Sequence, residues 1–172
     1  MLSFQVTRGW GIKPLFFLFL ITLLSVPAFA VVYNVNNTTD GNALNQLRGA
    51  IVAADGAGPG PHTINVAAGT YTLTLGQIVF GNNPQTINIV GAGAATTIIS
   101  MTTGAARDRI FLINPTGFTN SPVISVSGIT FQNAYLTSDT FGGGAIYAGG
   151  GSAESLTLTN CAFVNNTTPA LN

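Results

Sequence analysis

The sequence predicts an all-β chain folded as a parallel β-helix, a solenoid of stacked rungs. Three observations carry that prediction. A ten-residue phrase, Ile124-Ser-Val126-Ser-Gly128-Ile129-Thr-Phe131-Gln-Asn133, recurs as Leu156-Thr-Leu158-Thr-Asn160-Cys161-Ala-Phe163-Val-Asn165. In both copies the apolar residues switch from even to odd positions after Gly128 or Asn160. A strand has a period of two, so the switch marks a corner at which the chain turns and keeps facing one core. Gly and Asn are the residue types that best tolerate the left-handed backbone of such a corner. Finally, only 6% of the chain is charged, and Thr, Ser and Asn fill the polar half of the alternation. Small polar side chains stack in ladders up a sheet face, where like charges would repel. Evenly spaced strands also fit a β-sandwich. The corner repeated position for position favours the solenoid.

The elements follow in order. Residues 1–30 read as a secretory signal: Arg8 and Lys13 give the positive start, Leu15 to Val26 the apolar run, and Ala28-Phe29-Ala30 the cleavage site. The run is shorter than the ~20 apolar residues of a membrane span. No second run of that length follows, so the expected product is exported, with no membrane span after cleavage. Residues 31–62 read as an amino-terminal cap. Val31 to Val35 is a short strand and Asn36 to Asn42 a turn cluster. Leu44, Leu47, Ile51 and Ala54 then share one helical face, with Asp40 or Asn42 available as N-cap and Gly56 as stop. The end rung of a solenoid exposes its core, so an amphipathic helix ahead of the first repeat is expected to cap it.

Residues 63–172 read as rungs. Strands are expected near Thr63–Val66, Tyr71–Leu75, Ile78–Phe80, Thr86–Val90, Thr97–Ser100, Arg109–Ile113, Val123–Val126, Gly128–Phe131, Ala145–Tyr147, Leu156–Leu158 and Cys161–Val164. Ile64-Asn-Val66, Ile87-Asn-Ile89 and Ile110-Phe-Leu112 begin 23 residues apart and look like successive copies. Asn82-Asn-Pro84, Gly91-Ala-Gly93 and Asn114-Pro115 supply turn chemistry between strands. Gly128 and Asn160 are expected at rung corners, and Asn133 and Asn165, which share one repeat position, in a structural asparagine ladder.

Composition narrows the function. The segment from Val31 on carries Arg48, Arg107 and Arg109 against Asp40, Asp55, Asp108, Asp139 and Glu154, a net charge of −2. This excludes the basic stripe that nucleic acid requires. Cys161 stands where the other copy has Ile129 and reads as a small buried hydrophobe. His62 has no Cys or carboxylate at ligand spacing, so neither metal nor cofactor is expected. The glycines from Gly142 to Gly151 fit no phosphate-loop register. Asp139 and Glu154 flank that loop without a supporting catalytic residue, so no catalytic group is assigned. Arg107-Asp108-Arg109 reads as a solvated turn with both arginines outward, or as a contact for an acidic glycan. The Asn-x-Thr sequons at Asn36, Asn37, Asn165 and Asn166 follow from composition.

Phe141-Gly-Gly143-Gly144-Ala145-Ile146 and Phe163-Val-Asn165-Asn166 contain the motif pair Gly-Gly-Ala-Ile and Phe-x-x-Asn. That pair resembles the repeats of the polymorphic outer membrane proteins of chlamydiae and related bacterial surface proteins. Phe131-Gln-Asn-Ala134 departs from it, with Ala where a second Phe-x-x-Asn would place Asn. Leu47-Arg48-Gly-Ala-Ile51, Thr63-Ile-Asn-Val66 and Gly69-Thr-Tyr71 resemble the amino-terminal region of exported right-handed β-helix proteins of the pectin-lyase-like group. The resemblance implies a right-handed helix, a secreted or surface-displayed adhesive or structural stalk, and a host, matrix or glycan surface as partner. It equally admits the first rungs of a carbohydrate-active lyase or hydrolase whose catalytic rungs lie elsewhere. With its last rung open, the sequence is expected to be the amino-terminal part of a longer stalk.

Overall fold

A computed structural model describes residues 29–81, 85–103, 108–114, 122–136, 142–149 and 155–168. Among the described residues, twelve strands and one helix are formed: β1 Val32–Val35, α1 Leu47–Gly56, β2 His62–Val66, β3 Gly69–Leu73, β4 Ile78–Phe80, β5 Thr86–Gly91, β6 Thr97–Met101, β7 Phe111–Ile113, β8 Val123–Ser127, β9 Thr130–Gln132, β10 Ile146–Ala148, β11 Ser155–Thr159 and β12 Ala162–Val164. They lie in three sheets, ordered β1-β2-β5-β8-β11, β3-β6-β9-β12 and β4-β7-β10, and every pairing is parallel. From β2 on, successive strands visit the three sheets in turn, so the chain climbs as a β-solenoid of about three turns.

Alternation builds the core. In the five-stranded sheet the inward column is Tyr33, Ile64, Ile89, Val126 and Leu158; beside it runs Ile87, Ile124 and Leu156. The four-stranded sheet contributes Tyr71, Ile99, Phe131 and Phe163, and the three-stranded sheet Ile78, Phe111 and Ile146. Aromatic rings link the rungs: Phe80 to Phe111 at 5.2 Å, Phe111 to Phe131 at 5.4 Å, and Phe131 stacked on Phe163 at 5.3 Å. Such pairs add about 0.5–1.5 kcal/mol each beyond the area they bury. Cys161 packs against this core, as its repeat position implies.

The 124/156 repeat stacks in the predicted register, Ile124 on Leu156 and Phe131 on Phe163. The earlier spacing of 23 does not survive. Ile64 pairs with Ile89, two residues beyond Ile87, and Phe111 joins Ile78 in a different sheet. The strand that continues Ile87 is β8, at Ile124. A two-residue shift preserves the inward parity, so the sequence pattern cannot detect it.

The helix also differs from expectation. It begins at Leu47 after Gln46, whose side chain makes no cap bond, so neither Asp40 nor Asn42 is the N-cap. Leu44 precedes it and is 60% exposed. Leu47, Ala50, Ile51 and Ala54 are buried, and α1 packs on β1, β2 and β4.

Gly128 lies between β8 and β9, and Asn160 between β11 and β12. Gly128 has φ +65° and Asn160 φ +51°. A Cβ on Gly128 would lie 2.9 Å from the Gly91 carbonyl oxygen of the rung below. Gly128→Ala therefore meets both left-handed strain and a backbone contact. A loss of about 1–3 kcal/mol in urea denaturation is expected, whereas Asn160→Gly, at the same corner one rung on, should change little.

Candidate functional site

The outer face of the five-stranded sheet carries two columns of mostly small polar side chains. One is Val32, Thr63, Asn88, Ser125 and Thr157; the other is Asn34, Asn65, Val90, Ser127 and Thr159. These positions face outward because they alternate with the buried apolar ones. The columns are internally bonded: Asn65 Nδ2 donates to Asn34 Oδ1 at 3.1 Å, and Ser125 Oγ donates to Asn88 Oδ1 at 2.6 Å. Each rung thus presents polar groups at the inter-strand repeat of ~4.8 Å. Where the chain leaves this sheet, Asn34, Asn65 and Val90 form one wall of a shallow groove of about 340 Å³, and Asn36, Ala67 and Ala92 line it as well. Among the described residues, no charged side chain lines it.

The described charges do other work. Asp40 and Arg48 form a two-pronged ion pair, Nε to Oδ1 at 2.7 Å and Nη2 to Oδ2 at 3.0 Å. Arg48 also donates to the Gly76 and Gln77 carbonyls, and Asp40 accepts from the Thr74 and Leu75 N–H groups. Burial alone pushes the Asp40 carboxyl up. The hydrogen bonds from Arg48, Leu75 and Thr74, together with the Arg48 charge, overcome this and hold it below the usual carboxylate range. Asp55, buried at the end of α1, accepts from Gln85 Nε2 and from Gly81 N–H.

Arg109 overturns the outward reading of its cluster. It is only 4% exposed. Its Nε and Nη2 donate to the Gly142 carbonyl, Nη1 reaches Gln77 Oε1, and the guanidinium lies 5.3 Å from the Tyr147 ring centroid. Its own N–H donates to Asp108 Oδ1 at 2.8 Å. The reason is reach: the long side chain spans from just before β7 to the Gly142 carbonyl ahead of β10. Arg107, Asp139 and Glu154 lie outside the described residues.

The motif pair meets in space. Gly144, Ala145, Ile146, Phe163 and Asn166 line one cavity of about 500 Å³ at the β11–β12 end. Gly143 has φ +74°, and a Cβ there would lie 2.7 Å from the Ile146 carbonyl oxygen. Ala145 O accepts from the Ile110 and Phe111 N–H groups, and Asn166 bridges rungs by accepting from Ala134 N–H and donating to Phe131 O. Gly143, Ala145 and Asn166 lie outside the strands, while Ile146 and Phe163 belong to β10 and β12. Asn133 and Asn165 are left-handed, at φ +60° and +54°. The Asn133 amide donates to Ser100 Oγ of the rung below. Ala28 lies outside the described residues, and Ala30 is exposed ahead of β1. His62 is buried with Nε2 3.0 Å from the Gly58 carbonyl.

Among the described residues, no cluster of three His, Cys, Asp or Glu side chains is placed to hold a metal, and no helix is long and apolar enough to cross a membrane. No family model, curated protein or solved structure matches this chain.

Proposed function

We propose that this chain is an exported, non-catalytic β-solenoid module that adheres through the polar outer face of its five-stranded sheet to a neutral, hydroxyl-rich polymer such as a glycan. The observation that carries the reading is the two-column array of Asn, Ser and Thr, regular along the solenoid axis and uncharged. A polymer repeating at a comparable interval meets equivalent donors and acceptors on each rung. The exposed Val90 offers an apolar surface beside Asn65. Arg109 is buried against Gly142 and Gln77, which takes it out of a contact with an acidic glycan. The signal-like first thirty residues support export. The motif pair supports kinship with right-handed surface β-helices, in which α1 would serve as the amino-terminal cap.

Binding to cellulose and chitin particles tests this. The purified chain should be retained, and Asn88→Lys with Ser125→Lys should weaken retention at least ~10-fold, a loss of about 1.4 kcal/mol, without changing the far-UV spectrum. Equal retention of the variant would sink the assignment to this face. Release of sugar products from pectin or alginate would favour the enzyme reading instead.

A further inference from the structure

The shallow groove beside the polar columns is built from register-matched residues. Asn34, Asn65 and Val90 form one side, and Asn36, Ala67 and Ala92 the other. On each rung these residues sit two apart, so both leave the same face, and at Val35 and Val66 the residue between them is buried. The bonds Ala67 N–H to Val35 O and Ala92 N–H to Val66 O carry the register past the strand ends. The groove is therefore polar at its β1 end and apolar toward β5. Val90 is 41% exposed, and Ala67 and Ala92 are exposed beside it. Hydrogen-bonding capacity is left over at the polar end. Asn65 Nδ2 donates to Asn34 Oδ1, and Asn36 Oδ1 accepts from Asn45 Nδ2 at 3.4 Å. Asn65 Oδ1 and the Nδ2 groups of Asn34 and Asn36 have no partner among the described residues.

We propose, building on the glycan reading of this face, that the groove is a subsite for the acetamido group of an N-acetylhexosamine unit in the bound polymer. An acetamido group carries a carbonyl acceptor, an N–H donor and a methyl in one plane. The groove supplies the complement of each. Nδ2 of Asn34 or Asn36 donates to the carbonyl, Asn65 Oδ1 accepts from the N–H, and Ala67, Ala92 and Val90 receive the methyl. A hydroxyl in place of the acetamido group would lie against those alkyl side chains and give up bonds to water without replacement. A free amine there, protonated in mild acid, finds no carboxylate, since no charged side chain among the described residues lines the groove. It also brings no methyl. The volume of about 340 Å³ falls in the range of small-ligand sites, roughly 300–1,000 Å³, and admits a sugar unit. A site built to bond a particular polar group discriminates against the analogue that lacks it.

Titration calorimetry with a chitin tetramer, its fully deacetylated form and a cellulose tetramer tests this, because the sugars differ only in bearing an acetamido group, an ammonium or a hydroxyl at one carbon. In mildly acidic buffer the chitin tetramer should bind at least ~10-fold more tightly than either of the others, a difference of about 1.4 kcal/mol. Ala67→Glu places a carboxylate on the exposed wall where the methyl rests. The variant should bind the chitin tetramer at least ~10-fold more weakly. It should bind the deacetylated tetramer more tightly than the parent chain does, and lose that gain in high salt. A misfolded variant could not show such a gain. Equal or reversed affinity for the acetamido and hydroxyl tetramers would overturn the subsite and leave the glycan reading of the face standing. So would an Ala67→Glu variant that keeps the parent's order of preference. Failure to bind any of the tetramers would overturn the subsite and that reading together.

Discussion

Val126→Asp should abolish the fold, and Phe163→Asp should not. Both residues are inward members of strands in the two repeat copies, and the sequence pattern treats them alike. The structure separates them. Val126 is 1% exposed, stacked between Ile89 below and Leu158 above. A carboxylate there has no cation within the described core, and an unpaired buried charge costs several kcal/mol even after relaxation. Against a typical stability of about 5–15 kcal/mol, that loss should leave most of the protein unfolded or aggregated. Phe163 lies at the end of its column with 49% of its surface exposed. Its replacement forfeits the stack on Phe131 and part of its burial, but the carboxylate stays hydrated. The expected cost is about 1–3 kcal/mol. Circular dichroism and urea denaturation of the two variants check this. Similar, severe losses from both would mean that Phe163 is covered.

The same pair of residues shows what was legible in the sequence. Period-two alternation assigns inward and outward sides for Ile124, Val126, Phe131 and their copies. The change of parity locates the corners at Gly128 and Asn160, because few residues hold a positive φ. Stacking order was not legible where rungs differ in length. Ile110-Phe-Leu112 looks as good a copy of Ile87-Asn-Ile89 as β8 does, since an apolar-x-apolar triplet carries no sheet label. Three-dimensional closure decides it: a solenoid with three sheets per turn returns to the first sheet only after visiting the other two. Phe111 therefore belongs to the third face, over Ile78. The polar face was legible as a composition, Thr, Ser and Asn in place of charge, but not as the columns Asn34–Asn65 and Asn88–Ser125. Those columns follow from the register. The partners of Arg109 and Arg48 were hidden for another reason. Each arginine is held by backbone carbonyls of turns about 30 residues away, at Gly142 and at Gly76–Gln77, and a carbonyl leaves no mark in the sequence.

The Asp40–Arg48 pair should make stability acid-sensitive. Asp40 joins the β1–α1 segment to the β3–β4 turn through four hydrogen bonds, two from Arg48 and one each from the Thr74 and Leu75 N–H groups. Its carboxyl is held below the usual range in the folded chain. Because the folded pKa is the lower, ionised Asp40 contributes its stabilisation fully above the unfolded carboxylate value of ~3.9, and that contribution is lost as pH falls through the folded value. Asp40→Asn keeps the shape but points an amide N–H₂ at groups that are all donors. Removing one partner of a buried pair typically costs about 3–5 kcal/mol. The variant should lose roughly that much at pH 7 and show a flatter stability profile between neutral pH and acid than the parent chain. Arg48→Met should be comparably destabilising, because it strands the Asp40 carboxylate and the Gly76 and Gln77 carbonyls together. In the double variant the two losses should fall well short of additive, since each single change already breaks the same network. Urea denaturation of the four proteins at neutral and acid pH measures all of this. Additive losses with an unchanged pH slope would show that the two side chains act separately and that the acid sensitivity belongs to another carboxylate.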